Sequence, residues 1–248
     1  RIEIETIVHQ VAPDFVIHLA GIAFVAEKNA SLIYDVNVIG TGHLLEALAH
    51  LPQKPRKVIL ASSATVYGNQ HCDILEESMM PKPVNHYGFS KLSMEHLAAT
   101  YFEKLPIIIT RPFNYTGVGQ DEQFLIPKII KHYKEKKASI ELGNLHVARE
   151  FNDVHDVVTW YADLLTCSAQ GEIVNLCSSK AISLLEIIAL MNNLAGYEIK
   201  VKINPAFVRE NEIKTLFGSS EKLSRMIPYH PTIAINETLK TMYLHEVF

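Results

Sequence analysis

Residues 83–98, PVNHYGFSKLSMEHLA, set the phenol of Tyr87 and the ammonium of Lys91 four positions apart, one helical turn, on a shared face. Just upstream, residues 57–68, KVILASSATVYG, form an apolar strand that ends in two serines. A buried strand feeding a helix is the repeating unit of a parallel sheet, and these two segments therefore set the fold. Serine, tyrosine and lysine so arranged suit the movement of a hydride and a proton at a carbonyl carbon. The spacing alone is weak, because roughly 0.7 accidental Y-x-x-x-K matches are expected in a chain of this composition. Tyr133 and Lys137 form a second match in KHYKEKK. No serine-bearing strand precedes that pair, and it reads as a solvated face.

Outward from this core, strand and helix signals alternate to both ends. Strands are expected at FVIHLA (15–20), KVILAS (57–62), LPIIITRPF (105–113), near REFNDV (149–154), at EIVNLC (172–177) and at EIKVKI (198–203). Helices are expected over 31–51 with Ser31 as cap, 84–104, 124–137, 154–166, from near Ser183, through SSEKLSRMI, and over about 236–246. The pattern predicts an α/β protein with a doubly wound, Rossmann-type parallel sheet. Residues 1–20 read as a helix end feeding an inner strand, and no G-x-G-x-x-G or G-x-x-G-x-x-G turn follows an early strand. The expectation is that a first βαβαβ half lies outside these residues and that FVIHLA forms an exposed sheet edge.

Composition narrows the partners. The formal charge of −4, from 23 basic and 27 acidic residues, gives no broad positive field for nucleic acid or anionic lipid. No apolar run reaches the length of a membrane span. Cys72, Cys167 and Cys177 are odd in number and unrelated in spacing, which fits reduced thiols in the cytoplasm and not zinc. His146, Asp153, His155 and Asp156 cluster in sequence but share no helical face, so no metal is assigned to them.

The segments HLAG (18–21), NVIGT (37–41), SSATVYG (62–68), YGFSK (87–91) and RPFN (111–114), followed by Arg209, occur in one order. In that order the chain resembles the extended short-chain dehydrogenase/reductase family, in its nucleotide-sugar epimerase, dehydratase and reductase branch, over essentially its whole length. RPFNYTGVGQ (111–120), FLIPKII (124–130) and ELGNLHVAREFNDVHDVV (141–158) are most similar to the GDP-4-keto-6-deoxy-D-mannose reductases, which make GDP-D-rhamnose. The resemblance implies NAD or NADP bound near Leu19, Ala20, Gly21, Asn37, Ser62, Tyr87 and Lys91. It implies a nucleotide sugar, GDP-linked, held by Asn114, Lys128, Arg149 and Arg209. It also implies a homodimer through the helices at 31–51 and 84–104, and a division into a dinucleotide-binding domain (1–114 and 150–178) and a substrate lobe (115–149 and 179–248).

Chemistry gives each position a task. Tyr87 is expected to protonate the sugar oxygen, with its pKa brought below about 10 by Lys91, which the resemblance also places on the nicotinamide ribose. Ser63 would hold the same oxygen, whereas Ser62 reads more simply as a strand end bonding local backbone. Thr65 stands where dehydratase relatives carry a glutamate, and a hydroxyl is a poor base for removing a carbon-bound proton. That position favours reduction or epimerisation over dehydration. Ala20 and Gly21, at the carboxyl end of a strand, leave room for a ligand or simply make a turn. Asn37, in mid-helix, calls for a tertiary hydrogen bond. Arg149 can fork onto a diphosphate or pair with Glu150 or Asp153, and Lys128 can face phosphate or solvent. The expected reaction is NAD(P)H-dependent reduction of the 4-keto group of a GDP-6-deoxyhexose; a 4-epimerase and a non-catalytic sugar-binding remnant are the alternatives.

Overall fold

The structure is a computed structural model that describes residues 1–23, 29–70, 74–208, 215–229, 231 and 233–245. Helix α1 (Ile2–Val11) ends on Ala12 in the left-handed region and leads into strand β1 (Phe15–His18). Helix α2 (Ala30–Tyr34) runs through a wide π turn (Asp35–Gly40) into α3 (Thr41–His50). Strand β2 (Lys57–Ala61), helix α4 (His86–Ala99) and strand β3 (Ile107–Pro112) follow. Next come β4 (Tyr115–Thr116), α5 (Leu125–Lys134), β5 (Ser139–Leu142), β6 (Ala148–Glu150) and β7 (Asn152–Asp153). The chain continues through α6 (Val154–Thr166), β8 (Glu172–Leu176), β9 (Ala181–Ser183) and α7 (Leu184–Ala195). It closes with β10 (Lys200–Ile203), β11 (Thr215–Leu216), α8 (Glu221–Met226) and α9 (Ile235–Leu244).

The central sheet has the order β1-β2-β3-β8, all parallel. Its inner strands carry the apolar runs 58–61 and 107–109 because both faces are covered. Val58, Leu60, Ile107 and Ile109 point to one face and pack on Val8, Leu45, Leu48 and Met94 of α1, α3 and α4. Ile59, Ile108 and Val174 point to the other and meet Val157, Trp160 and Leu164 of α6. Period-2 alternation thus feeds two cores from one strand, and each fully buried Ile contributes about 1.5–3 kcal/mol. As expected, β1 lies at the sheet edge, and Phe15 and Ile17 on it are exposed. Among the described residues no helix is long and apolar enough to cross a membrane.

A separate apolar cluster joins α5, α7 and α9 to the parallel pair β5-β10, with Ile129, Ile130, Ile140, Ile187, Met191 and Leu239 at its centre. Two further small sheets, β11-β6-β9 and β4-β7, stand beside it. Helix α7 starts on a capping box, Ser183 with Glu186, and ends at Gly196 in the left-handed conformation, φ 75°.

Four local expectations are corrected. Helix α2 is capped by Asn29, whose side chain accepts from the Leu32 amide, and not by Ser31, which is the second residue of the helix. REFNDV is two strands in different sheets, with β6 pairing β9 and β11 while β7 pairs β4. Strand β5 was not foreseen, because SIEL follows a lysine-rich helix end without an apolar run. Tyr133 is not on a solvated face. It is fully buried, and its hydroxyl donates to Asn192 Oδ1 at 2.6 Å, so a polar tip was mistaken for a polar residue.

Candidate active site

Strand β2 delivers its two serines at the carboxyl edge of the sheet. Ser63 caps a 3-10 turn over Ala64–Tyr67 and accepts from the Thr65 amide at 3.2 Å and from Thr65 Oγ1 at 2.8 Å. Helix α4 is started by Asn85, which accepts from the Gly88 amide, and it presents Tyr87 in its first turn and Lys91 one turn on. A Cβ at Gly88 would lie 3.0 Å from the Thr65 carbonyl, so a small residue is what lets the helix approach the serine turn this closely.

The Tyr87 phenol is buried and lies near the Ser63 side chain. Burial pushes its pKa up to about 12; the Ser63 hydroxyl pulls the other way and neighbouring Tyr115 adds to the rise. The expected depression by Lys91 is absent. The Lys91 ammonium donates instead to the Ala61 carbonyl at 2.8 Å, and burial brings its own pKa down to about 8 against the opposing pull of Glu95. Tyr87 therefore carries its proton at neutral pH, which is the form a proton donor needs.

Around the pair, Asn37 makes the expected tertiary bonds. It is buried in the π turn, accepts from the Ile22 amide at 2.8 Å, and donates to the Ile22 carbonyl at 3.2 Å and to Ser90 Oγ at 3.0 Å. Gly21 lies in the segment so held. A Cβ there would meet Asn37 Oδ1 at 2.9 Å and Lys91 Nζ at 3.3 Å, so the bare backbone is required beside the ammonium. Leu19, Ala20 and Gly21 are exposed at the end of β1.

Ser62 does not bond local backbone. Its hydroxyl donates to Glu95 Oε1, and the Glu95 carboxylate also takes Arg111 Nε at 2.9 Å and Nη2 at 2.7 Å in a fully buried fork. The guanidinium stacks 4.8 Å from the centre of the Tyr67 ring, while its Nη1 has no hydrogen-bond partner. β2, α4 and β3 are thus tied by one charged cluster directly behind Ser63 and Lys91.

The remaining sequence candidates lie apart from that cluster. Asn114, between β3 and β4, offers its carbonyl to the Asn152 amide at 2.9 Å. Arg149 is half-buried in β6, with Nη1 on the Ala148 carbonyl. Of the carboxylates weighed as its partners, Glu150 accepts from Ser178 and from the Gly218 amide, and Asp153 accepts from Thr238 at 2.8 Å and from His155. Lys128 is half-buried and neither fully solvated nor isolated: it donates to the Glu141 carbonyl at 2.9 Å and lies over the Phe207 ring. Arg209 and Cys72 fall outside the described residues.

Two neighbours escaped the sequence reading. His18 Nε2 meets Thr41 Oγ1 at 2.9 Å, and burial, then Lys91, brings its pKa down to about 4, so it is neutral beside the cation. Tyr115 stands close enough for its phenol to influence the titration of Tyr87. The quoted motifs HLAG and RPFN border both residues, and that adjacency was the available signal.

The family model described as GDP-mannose 4,6 dehydratase matches residues 1–242. GDP-6-deoxy-D-talose 4-dehydrogenase of Aggregatibacter actinomycetemcomitans is 35% identical over 90% of this chain and 76% of its own length. GDP-6-deoxy-D-mannose reductase of Pseudomonas aeruginosa is 31% identical over 93% and 79%. Among solved structures, a candidate epimerase from Burkholderia cenocepacia superposes with TM-score 0.91 at 44% identity, covering 97% of this chain and 78% of that one. RMD from Pseudomonas aeruginosa, complexed with NADPH, gives 0.86 at 29%, covering 93% and 80%. The chain belongs to the GDP-mannose 4,6 dehydratase family, among the epimerase/dehydratase enzymes that modify nucleotide sugars.

Proposed function

We propose that this protein interconverts the 4-keto and 4-hydroxyl forms of a GDP-6-deoxyhexose with NAD(P)H, working as a reductase in the GDP-D-rhamnose or GDP-6-deoxy-talose direction. The observation that carries this reading is the buried Tyr87 phenol near Ser63, with Lys91 one helical turn on and Thr65 in place of a carboxylate base. When bound, NAD(P)H supplies the hydride. Ser63 and Tyr87 orient the sugar oxygen, and Tyr87 gives that oxygen its proton. Lys91 and the bare backbone of Ala20 and Gly21 fit the nicotinamide-ribose end: the ammonium lies behind Gly21, where a side chain would intrude. Asn114, Lys128, Arg149 and Arg209 are proposed to hold the nucleotide diphosphate, Arg149 through its forked donors.

The GDP-linked substrate is supported by the names of the two relatives. Talose and mannose differ at C4, so oxidation of either 6-deoxy sugar there gives the same ketone, and the two activities differ in which face of that carbon receives the hydride. The division into a dinucleotide-binding domain (1–114, 150–178) and a substrate lobe (115–149, 179–248) is supported by the separate apolar cluster of α5, α7 and α9. Exposed Leu32, Ile39 and Phe89 on α2, the π turn and α4 support a homodimer through these helices. Cys167 and Cys177, both free thiols, support a cytoplasmic setting.

The test is turnover of GDP-4-keto-6-deoxy-mannose with NADPH and NADH. The reading requires one reduced cofactor consumed per sugar reduced. Sugar conversion without cofactor consumption would replace it with 4-epimerisation, and sugar binding without turnover would leave a binding protein.

A further inference from the structure

We infer that His18 is a positioning residue for the proton donor: as its Nε2–H tautomer it heads a one-way run of hydrogen bonds that ends on the backbone of Tyr87. The inference rests on the proposed use of Tyr87 at a sugar oxygen, and on which atom of each pair owns a proton. The Thr41 hydroxyl donates to the Asn37 carbonyl at 2.9 Å. In a regular helix that carbonyl takes the Thr41 amide, but in the π turn the amide goes to the Val38 carbonyl and the hydroxyl serves in its place. A threonine hydroxyl has a single proton, and a carbonyl can only accept. Thr41 Oγ1, 2.9 Å from His18 Nε2, is therefore the acceptor in that contact, and the imidazole carries a proton on Nε2. Burial and the nearby Lys91 keep the ring neutral, so Nδ1 is bare.

From Asn37 the run continues in the same sense. Asn37 Nδ2 donates to Ser90 Oγ at 3.0 Å, and the proton of Ser90 goes on to the Tyr87 carbonyl at 2.8 Å. Thr41, Asn37 and Ser90 are all fully buried, so water is no ready substitute for a missing partner. The end of β1, the π turn and the first turn of α4 are thus joined by groups whose donors and acceptors match in one arrangement. His18 supplies the first donor, at the strand end that carries Leu19, Ala20 and Gly21. Without that donor the Thr41 oxygen has an unmet acceptor position, and the turn that holds Asn37 against Ser90 is free to shift. A proton donor tolerates little displacement, because transfer depends on near-contact geometry. His18 thereby acts on Tyr87 through three other residues and touches neither phenol nor sugar.

Two substitutions separate the donor from mere polarity. In His18→Gln the side-chain amide can put its NH2 where Nε2 stands, whereas in His18→Asn it reaches only as far as Nδ1. In turnover of the keto sugar with NAD(P)H, His18→Asn is expected to lower kcat about tenfold, the worth of one hydrogen bond, with KM for the sugar within about twofold, and His18→Gln to restore kcat. Adding His18→Asn to Thr41→Val should bring no further loss, because His18 acts through Thr41. Should His18→Asn fail to fold, Thr41→Val takes its place as the loss and Thr41→Ser as the rescue. Two NMR readouts need no turnover. The ring nitrogens of His18, assigned by their loss in His18→Gln, should show a proton on Nε2 and a bare Nδ1. The backbone amides of residues 87–91 should shift in His18→Asn and return in His18→Gln. A ring protonated on Nδ1, amides that stay unmoved in His18→Asn, or a kcat loss that His18→Gln does not restore or that adds fully to Thr41→Val, overturns the proposal. If wild-type protein turns over no sugar with NAD(P)H, the functional reading fails while the NMR readouts still decide whether His18 holds the first turn of α4.

Discussion

The polar groups around the serine turn and helix α4 and the cations Arg149 and Lys128, in the region built by α5, α7, α9 and the small sheets, are held differently. In the first, Ser62, Glu95 and Arg111 are fully buried and bonded to one another across β2, α4 and β3, and Asn37 reaches both the Ile22 backbone and Ser90. In the second, Arg149 and Lys128 are half-buried on short strands and a helix edge and make contacts to nearby carbonyls. Buried polar networks allow one arrangement because any unsatisfied member is costly, whereas half-exposed cations can exchange water for ligand. The difference suits the proposed division of labour: a proton donor needs a fixed position, while groups that grip a flexible diphosphate must be able to adjust.

The sharpest way to break this contrast is Glu95→Ala. It strips Arg111 of its partner inside the core and should cost about 3–5 kcal/mol of stability, seen as a lower midpoint in urea. A loss below about 1 kcal/mol would mean that the network is no stiffer than the second region. The pH dependence of stability is the next test. Lys91 has a folded pKa near 8 against 10.5 for the unfolded chain, so between these values the unfolded chain binds more protons. Stability from this group is lowest below about pH 8 and rises as pH climbs toward 10.5. Lys91→Met should flatten that rise and be the more stable protein at neutral pH; an unchanged slope would show that the ammonium is well solvated.

On the other side of the contrast, Arg149→Ala should raise the sugar KM by about 10- to 100-fold, the worth of charged hydrogen bonds, with the melting temperature nearly unchanged. A large drop in melting temperature would place Arg149 among the rigid groups. The smallest effect belongs to Ser183→Ala, which removes the exposed cap of α7 and should cost about 1 kcal/mol without altering kcat.

The two regions were also unequally legible in the sequence. Tyr87, Lys91 and Ser63 announce themselves because their chemistry lies in local spacing, and the alternating apolar runs of β2 and β3 fix the parallel sheet. The partner of Ser62 was not legible. Glu95 is 33 residues away and becomes a partner only when α4 lies across β2, so a local backbone bond looked simpler. The elevated Tyr87 pKa was missed for a related reason: helical spacing places an ammonium on the right face but says nothing of the Ala61 carbonyl that claims it. In REFNDV one apolar residue, Phe151, separates strands that join different sheets, a choice made by tertiary neighbours and not by propensity.

The wide turn at Asp35–Gly40 carries one further meaning. Asn37 accepts from the amide of Ile22 and donates to its carbonyl, which is the exchange two peptide groups make across a sheet. A single carboxamide thereby impersonates a neighbouring strand for one residue, just past the point where β1 leaves β2. The carboxamide thus holds Ile22, and with it the bare backbone of Gly21 beside Lys91, in place of a peptide neighbour.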